Sequence, residues 1–350
     1  MQTRVCRLYG QNDIRIETAD IADPGPGEVL VAIAAGGICG SDLHYYQDGG
    51  FGPIRVREPI ILGHEASGRV VATGPGVTGI NVGDRVAINP SRPCGDCRWC
   101  RAGLTTHCLT MRFNGSALRF PHEQGLFRDR IVVDAARCVP VGPDTSFAAA
   151  ACAEPLAVCL HARSMAGPVA GQRVLVTGAG QIGALCVAVA AEGGAAEIVA
   201  TELQDMPLDI ARRMGATRGI NVTRDAAELD AYAADKGHFD IVFECSAAAP
   251  AIRAAIAAVR PQGRIVQVGI AGDTPLPLNA LVGKELTLQG TQRFQQSEFA
   301  DAVGCIATRR IDVTLIVTGS FPLVDAVAAF RAAGDRTTGV KVQITFDEAV

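Results

Sequence analysis

Apolar positions in the first part of the chain occur in short runs that are separated by turn residues. Val29–Ile33, Gly68–Ala72 and Asp84–Ile88 have the character of β-strands, and segments such as Pro24–Gly27 carry the Gly and Pro that end them. Short strands at this spacing are typical of an antiparallel, barrel-like unit. The pattern predicts a β-rich domain over residues 1–150.

Near Ala148 the pattern changes to alternating strands and helices. The apolar strand Arg173–Thr177 is followed by a glycine loop and by a helix-compatible run over Ile182–Glu192. Later strands are predicted at Glu197–Thr201, Phe239–Glu244, Gly263–Val268 and Glu285–Leu288, and later helices at Leu208–Met214 and Pro250–Val259. This alternation predicts an α/β fold, with a doubly wound parallel sheet over residues 151–290 that shares a cleft with the first domain. A last strand is predicted at Val340–Phe346.

Composition and charge narrow the class of protein. The chain has 350 residues, 48% of them hydrophobic, which suffices for two cores. The net charge is −4 and Lys and Arg are not clustered, which disfavours a nucleic acid or an anionic membrane as partner. No apolar run approaches the ~18 residues that span a bilayer, and Met1–Gly10 lacks the apolar core of a signal peptide. We therefore expect a cytoplasmic protein that acts on a small molecule.

A glycine-rich loop follows the strand that ends at Thr177. Its sequence matches G-x-G-x-x-G, in which glycines let backbone N–H groups approach a pyrophosphate at a helix N-terminus. Glu202 ends the next predicted strand, where a carboxylate accepts hydrogen bonds from ribose hydroxyls and repels a 2′-phosphate. The pattern predicts NAD rather than NADP; a helix-packing turn with a solvated Glu202 is the alternative. The predicted cofactor-binding residues of the loop are Gly178, Gly180, Gln181, Ile182 and Gly183.

Twelve cysteines in a long chain without an export signal indicate metal ligands or buried thiols rather than disulfides. Cys94, Cys97, Cys100 and Cys108 form the pattern C-x2-C-x2-C-x7-C, which can close a tetrahedral thiolate shell around a structural Zn²⁺. The bacterial iron–sulfur run requires a different spacing and a following Pro. Free thiols that are adjacent by coincidence are the alternative. Buried packing is expected for the scattered cysteines Cys6, Cys138, Cys159, Cys186, Cys245 and Cys305.

A second metal site is predicted from Cys39, His64 and Glu65. One thiolate, one imidazole and one carboxylate can hold zinc and leave a position open, as catalytic zinc requires. Taken singly, each residue has another explanation: a core thiol, a turn histidine and a solvated charge.

The motif Gly63-His-Glu-x-x-Gly68, the four-cysteine loop and the glycine loop, in this order, resemble the zinc-containing medium-chain alcohol/polyol dehydrogenase family over essentially the whole chain. The resemblance implies a GroES-like catalytic domain over residues 1–150 that residues 291–350 complete, and a Rossmann NAD-binding domain over residues 151–290. It also implies one catalytic and one structural zinc per subunit, and a dimer or tetramer.

The resemblance also implies roles in the reaction. Ala153-Glu-Pro-Leu-Ala157 is similar to the polyol branch of the family, in which Cys, His and Glu hold the catalytic zinc. Either Glu65 or Glu154 is then the third protein ligand of the catalytic zinc. Glu154 takes part in catalysis in both cases, either as that ligand or by holding the metal-bound water. Hydride passes from the substrate to NAD, Ser41 accepts the proton and His44 relays it. Cofactor contacts are also implied at Val268 and Lys341.

For the substrate, segments such as Ser41–Gln47 and Phe120–His122 resemble enzymes of this branch that convert the sugar acid L-idonate to 5-ketogluconate. Sorbitol and xylitol dehydrogenases share the metal pattern and are the alternative. Arg293 resembles the polyol-contacting Arg of the branch. Pocket-shaping side chains are expected at Tyr45 and Phe113, and additional positive charge at Arg112 or Arg119. A zinc-free quinone/enoyl-type reductase or a non-catalytic NAD-binding protein would not require the second metal set.

Overall fold

Two large sheets organise the protein, one mostly antiparallel and one parallel, in a computed structural model that describes residues 1–270 and 272–347. The strands are β1 (Gln2–Gly10), β2 (Asp13–Asp20), β3 (Glu28–Gly37), β4 (Gly50–Phe51), β5 (Ile54–Arg55), β6 (Ile60–Ile61), β7 (Glu65–Thr73), β8 (Arg85–Ile88), β9 (Ser91–Arg92), β10 (Arg112–Phe113), β11 (Arg130–Asp134), β12 (Cys138–Pro140), β13 (Arg173–Thr177), β14 (Glu197–Glu202), β15 (Arg218–Asn221), β16 (Phe239–Glu244), β17 (Val259–Gln267), β18 (Thr287–Gly290), β19 (Val317–Pro322) and β20 (Lys341–Thr345). The α-helices are α1 (Gly40–Asp48), α2 (Arg98–Arg101), α3 (Phe147–Ala151), α4 (Ala153–Ala166), α5 (Gln181–Glu192), α6 (Asp205–Arg213), α7 (Ala226–Ala231), α8 (Ala249–Ala258), α9 (Leu278–Gly283), α10 (Gln296–Ala307) and α11 (Ala326–Gly334). Short 3-10 helices lie at Thr105–His107, Ala135–Arg137, Ala234–Lys236, Val313–Ile316 and Leu323–Asp325.

The first sheet has the order β12-β8-β7-β3-β20-β19, and β11 also pairs with β3. Strand β3 lies at its centre because nearly all of its residues are apolar and buried, which suits a strand covered on both faces. It pairs antiparallel with β7, β11 and β20, so the end of the chain completes this sheet. A smaller sheet, β2-β1-β6, shares the same core, which contains Val31, Phe127 and Phe330.

The second sheet is parallel and has the order β15-β14-β13-β16-β17-β18. Its first strand in the chain, β13, lies next to β16, so the strand order reverses between them. Ligands of doubly wound sheets bind at the carboxyl ends of the strands at such a switch point. Helices α4, α5 and α10 share a core on one face of the sheet, and α7 and α8 pack on the other. The predicted doubly wound parallel sheet is confirmed.

Three details differ from the sequence pattern. Strand β18 begins at Thr287 instead of Glu285, because Glu285 has a positive φ of 53° that a strand cannot accommodate. The short strand β15 was not predicted, since Arg and Gly occupy half of its four positions. Helix α10, expected to belong to the first domain, packs against α4 with an apolar face of Phe299, Ala302, Val303 and Ile306.

Among the described residues, no helix combines the length and the apolar character needed to cross a membrane.

Candidate active site and metal centres

The four-cysteine loop folds into a lobe around α2 in which the four Sγ atoms lie within 4.8 Å of one another. Backbone N–H groups of Cys94 and Cys97 point at sulfur atoms within the lobe, at 3.2 and 3.4 Å. Backbone hydrogen bonds from Cys100 and Leu109 lower the pKa of the Cys97 thiol to about 6, whereas burial raises that of Cys100 to about 12. Four converging sulfur ligands fit a saturated zinc site.

The second predicted set also converges. Cys39 caps the N-terminus of α1, His64 precedes β7 and Glu65 begins it, and their ligand atoms lie within 4.8 Å of one another. His64 and Glu65 are buried and Cys39 is half-buried. Glu154, in the first turn of α4, is not a member of this set. A thiolate, an imidazole and a carboxylate that converge in a partly closed site fit one zinc ion with a position left open.

Asp42 is a residue of the site that sequence reasoning missed. Its buried carboxylate accepts hydrogen bonds from the N–H groups of Cys39 and Gly63, each at 3.1 Å, and lies 3.7 Å from His64 Nδ1. Burial by itself lowers the pKa of His64, but the negative charges of Asp42 and Cys39 raise it overall. A carboxylate behind a ligating histidine fixes the orientation of the ring. The Cys39-x-x-Asp42 spacing, which forms a capping box, was the available signal.

Lys341, for which a cofactor contact is predicted, lies inside this site. Its fully buried ammonium donates to Ile38 O at 2.9 Å and to Gln181 Oε1 at 3.0 Å, and forms an ion pair with the Glu65 carboxylate. These three acceptors use all three hydrogens of the ammonium. In this arrangement Lys341 neutralises Glu65 and contacts the first residue of α5. Gly37 makes room for the pair, because a Cβ there would lie 2.1 Å from Glu65 Oε2.

Glu154, Ser41 and His44, the predicted catalytic residues, differ in burial. Glu154 is buried, and burial raises its pKa to about 7 although the nearby charge of His64 lowers it. Ser41 is half-buried on α1. His44 is exposed and its Nδ1 lies 2.8 Å from Asp48 one turn later. Ser41 and His44 thus lie on the helix whose N-terminus Cys39 caps.

An aromatic and a cationic side chain lie on one side of His64. The ring of Phe113 lies 5.5 Å from the His64 ring, and the Arg293 guanidinium lies 5.4 Å from the centre of the Phe113 ring. Burial lowers the pKa of Arg293, and its Nη1 donates to Thr106 O at 3.4 Å. Tyr45 is buried, and its hydroxyl accepts from Ala117 N at 3.3 Å. Phe113 and Arg293 thus lie next to each other on the side of His64, and Tyr45 is close enough to Arg293 to affect its pKa.

The two other candidate cations are engaged elsewhere. Arg112 is exposed and pairs with Glu123 at 3.3 Å. Arg119 donates to the backbone carbonyls of Met111 and Leu109. Neither of these contacts involves the metal set.

The glycine loop connects β13 to α5 with the backbone geometry that its motif predicts. Gly178 has a φ of +81°, and Gly180 caps the helix. A Cβ on Gly183 would lie 1.7 Å from Gly178 O, so helix and loop pack together at a distance that only glycine allows. Glu202 accepts hydrogen bonds from Ala179 N at 2.9 Å and Leu203 N at 2.6 Å. This carboxylate beside an open helix N-terminus fits a dinucleotide with free ribose hydroxyls.

Glu244 is a second buried carboxylate that sequence reasoning missed, and it lies at the carboxyl end of the parallel sheet. It ends β16 and accepts from Ser246 N at 3.1 Å, Ala247 N at 3.0 Å and Gln267 Nε2 at 2.5 Å. The loop that it holds lies against Gly178. Val268 is half-buried at the end of β17 and donates its N–H to Glu244 O at 2.9 Å.

Comparison with known proteins agrees with this geometry. Residues 25–143 match the alcohol dehydrogenase GroES-like domain, and residues 182–308 match the zinc-binding dehydrogenase family. The L-idonate 5-dehydrogenase (NAD(P)(+)) of Escherichia coli (strain K12) is 38% identical over 347 residues, 99% of each chain. A crystal structure of L-idonate 5-dehydrogenase from Escherichia coli K-12 has a TM-score of 0.94 over 99% of both chains. The sorbitol dehydrogenase of Gallus gallus is 34% identical over 97% of this chain and 95% of its own. The chain therefore belongs to the zinc-containing medium-chain alcohol and polyol dehydrogenases, enzymes with a GroES-like domain and a Rossmann sheet that use a nicotinamide dinucleotide.

Proposed function

We propose that this enzyme oxidises a secondary hydroxyl of a sugar acid, converting L-idonate to 5-ketogluconate with NAD in a reversible reaction. The observation that carries the proposal is the half-buried guanidinium of Arg293 over Phe113, beside the set Cys39, His64 and Glu65. A cation that is partly shielded from water can form a charge-assisted hydrogen bond with a substrate carboxylate. The similarity to L-idonate 5-dehydrogenase over 99% of the chain supports the same substrate.

Two zinc ions per subunit are proposed. Cys39, His64 and Glu65 would hold the catalytic ion, and Cys94, Cys97, Cys100 and Cys108 the structural one. The catalytic zinc, when bound, supplies a Lewis acid that lowers the pKa of a substrate hydroxyl. Asp42 orients His64, and Phe113 and Tyr45 exclude water from one side of the pocket. Ser41 Oγ accepts the substrate proton as its own hydroxyl proton passes to His44, and His44, which is exposed and paired with Asp48, releases a proton to solvent.

For the cofactor, NAD is proposed over NADP. Glu202 presents a carboxylate next to the Ala179 N–H, at the place in a doubly wound fold where the adenosine ribose binds. There it accepts hydrogen bonds from two free hydroxyls and repels a phosphate. Backbone groups of Gly178, Gly180, Gln181, Ile182 and Gly183 would surround the pyrophosphate, with Val268 at the edge of the crevice.

A homo-oligomer, a dimer or a tetramer, is proposed from the surface of the parallel sheet. Within residues 1–270 and 272–347, strand β18 pairs only with β17, and α9, which precedes it in the chain, has no buried side chain. Leu278, Val282 and Leu288 are all exposed there. An unpaired sheet edge with apolar neighbours favours pairing with another copy. We also propose that each subunit divides at residues 150 and 290. Its cysteines form no disulfide among the described residues, which favours the reducing cytoplasm.

The polyols sorbitol and xylitol are the second candidate substrates, because sorbitol dehydrogenases are also similar to the chain. A panel of L-idonate, gluconate, 5-ketogluconate, sorbitol, xylitol and threonine, assayed with NAD and with NADP, separates the two. We expect the highest kcat/KM for L-idonate with NAD, and loss of activity with a zinc chelator. Faster turnover of sorbitol or xylitol would replace the sugar-acid proposal with the polyol one. Chelator-resistant activity would instead indicate a zinc-free reductase, and NAD binding without turnover of any substrate a non-catalytic protein.

A further inference from the structure

The side chain of Gln181 connects the nucleotide loop to the metal set. Its backbone belongs to the G-x-G-x-x-G loop and begins α5, on the parallel sheet. Its amide instead binds residues of the antiparallel sheet: Nε2 donates to Glu65 Oε1 at 3.3 Å, and Oε1 accepts from Lys341 Nζ at 3.0 Å. One residue therefore contacts the regions proposed for both ligands.

The partners of this amide are shielded from solvent. Glu65 and Lys341 are both fully buried, so water does not reach either partner. Lys341 has three hydrogens, and Gln181 Oε1 is the acceptor for one of them beside Ile38 O and Glu65. Loss of the amide leaves a buried donor and a buried acceptor without partners, and such groups shift until they find others. The position of the Glu65 carboxylate therefore depends on Gln181.

We propose that Gln181 is a positioning residue that couples occupancy of the nucleotide loop to zinc affinity at Cys39, His64 and Glu65. The inference rests on the proposed function, in which a pyrophosphate binds the N-terminus of α5 and zinc binds that set. A bound pyrophosphate fixes the backbone of Gln181, and the side-chain amide then holds Glu65 and Lys341 in their hydrogen-bonded positions. Each ligand thereby raises the affinity for the other by the same factor.

The test measures zinc affinity with and without ADP-ribose, which carries the pyrophosphate but has no nicotinamide ring to contact the metal. A competing chelator removes zinc stepwise, and the variant Cys39→Ser identifies the step that belongs to Cys39, His64 and Glu65. We expect ADP-ribose to raise the zinc affinity of this step about fivefold or more in the unmodified protein. The four-cysteine step should not respond, because Gln181 does not contact it.

Two variants and a control isolate the amide. Gln181→Met keeps the side-chain length and helix propensity but removes both hydrogen bonds, so the ADP-ribose effect should fall to within about twofold of none. Gln181→Glu keeps the acceptor for Lys341 but places a second carboxylate beside Glu65, and should also lose the effect. Gln11→Leu, at an exposed glutamine of the first domain, should retain it. If Gln181 had a purely structural role, Gln181→Met would lower the melting temperature. The ratio of the zinc affinities with and without ADP-ribose would then stay as it is in the unmodified protein.

The outcomes separate this inference from the proposed function. If zinc and ADP-ribose both bind, but independently, or if Gln181→Met couples them as strongly as glutamine, the inference is wrong and the proposed function stands. If no zinc step depends on Cys39, or if ADP-ribose does not bind, the proposed function fails and the inference fails with it.

Discussion

The ammonium of Lys341 and the carboxylate of Glu65 form an ion pair from which water is excluded, since both side chains are fully buried. Two strands bring them together: β7 begins at Glu65 and β20 begins at Lys341, and both strands pair with β3. The attraction of Glu65 raises the pKa of Lys341 although burial alone lowers it. Removal of either partner leaves an unpaired charge in the core.

We therefore expect Lys341→Met to lower the free energy of unfolding of the zinc-free protein by about 3–5 kcal/mol. Urea unfolding at pH 7 measures the change. The matched control is Lys236→Met, at an exposed lysine, which should change stability by less than about 0.5 kcal/mol. The double variant Lys341→Met/Glu65→Leu should recover most of the loss, because it leaves no unpaired charge. A single variant as stable as the unmodified protein would show that Glu65 finds another partner or is protonated.

Cys39→Ala is expected to remove one of two zinc ions and to lower kcat/KM by at least about 10³-fold, since the Lewis acid of the proposed reaction is lost. NADH should still bind, because the glycine loop lies on the other sheet, but with an affinity lowered by the about fivefold factor that couples this loop to the zinc. Zinc analysis, fluorescence titration with NADH and steady-state kinetics give the three readouts. Cys138→Ala, at a buried thiol outside both metal sets, should keep both ions and the activity. Full activity with one zinc ion would contradict the assignment.

Glu202→Ser should lower the ratio of kcat/KM for NAD to that for NADP by about 10- to 100-fold, because a like charge beside a phosphate costs several kcal/mol. The ratio is measured at constant substrate and low ionic strength. Glu228→Ser serves as the control, because Glu228 is an exposed carboxylate on α7, which packs on the same sheet. This variant should leave the ratio unchanged. An unaltered ratio in the Glu202 variant would refute the role of this residue in cofactor choice.

Arg293→Met should lower kcat/KM for L-idonate by about 10- to 150-fold, which corresponds to the loss of one charge-assisted hydrogen bond of 1.5–3 kcal/mol. Sorbitol has no carboxylate, so its kcat/KM should change much less. Arg112→Met, at the exposed arginine paired with Glu123, should affect neither substrate. Equal losses for idonate and sorbitol would assign Arg293 to hydroxyl binding and remove the argument for a sugar acid.

Asp240 offers a test of pH dependence away from the site. Burial raises its pKa, but hydrogen bonds from Arg173 and Arg260 outweigh this and hold it well below the ordinary 3.8. Because the folded-state pKa is lowered, the stabilisation is complete above the unfolded-state pKa and is lost as the pH falls through the folded-state value. Asp240→Asn should cost about 1–2 kcal/mol, a modest figure because both arginines are over one-third exposed.

The stability difference between Asp240→Asn and the unmodified protein should be constant from about pH 8 to pH 5 and shrink below about pH 4. Thermal unfolding across this range measures it. NADH affinity should not change, since Asp240 is near the start of β16 and the crevice lies at its other end. A difference that grows on acidification would mean that the pKa of Asp240 is not lowered by its partners.

The sequence by itself determined the features whose parts are neighbours in the chain. The four-cysteine loop and the glycine loop are set by local spacing, so turn geometry alone brings their ligands together. The order of the apolar runs also determined the two kinds of sheet, since strand and helix periodicities differ. The meeting of Cys39 with His64 and Glu65 was inferred from the ligand chemistry of the three residues, because no local spacing joins Cys39 to the other two.

Tertiary structure decided the contacts between segments far apart in the chain. The pairing of β3 with β7 and β20 sets Gly37 opposite Glu65 on one side and opposite Gln343 on the other. That register, and the space left by a glycine, placed the ammonium of Lys341 beside the carboxylate of Glu65. Such choices depend on strand register and on burial, which no local spacing specifies, because a one-residue shift in pairing changes which side chains face each other.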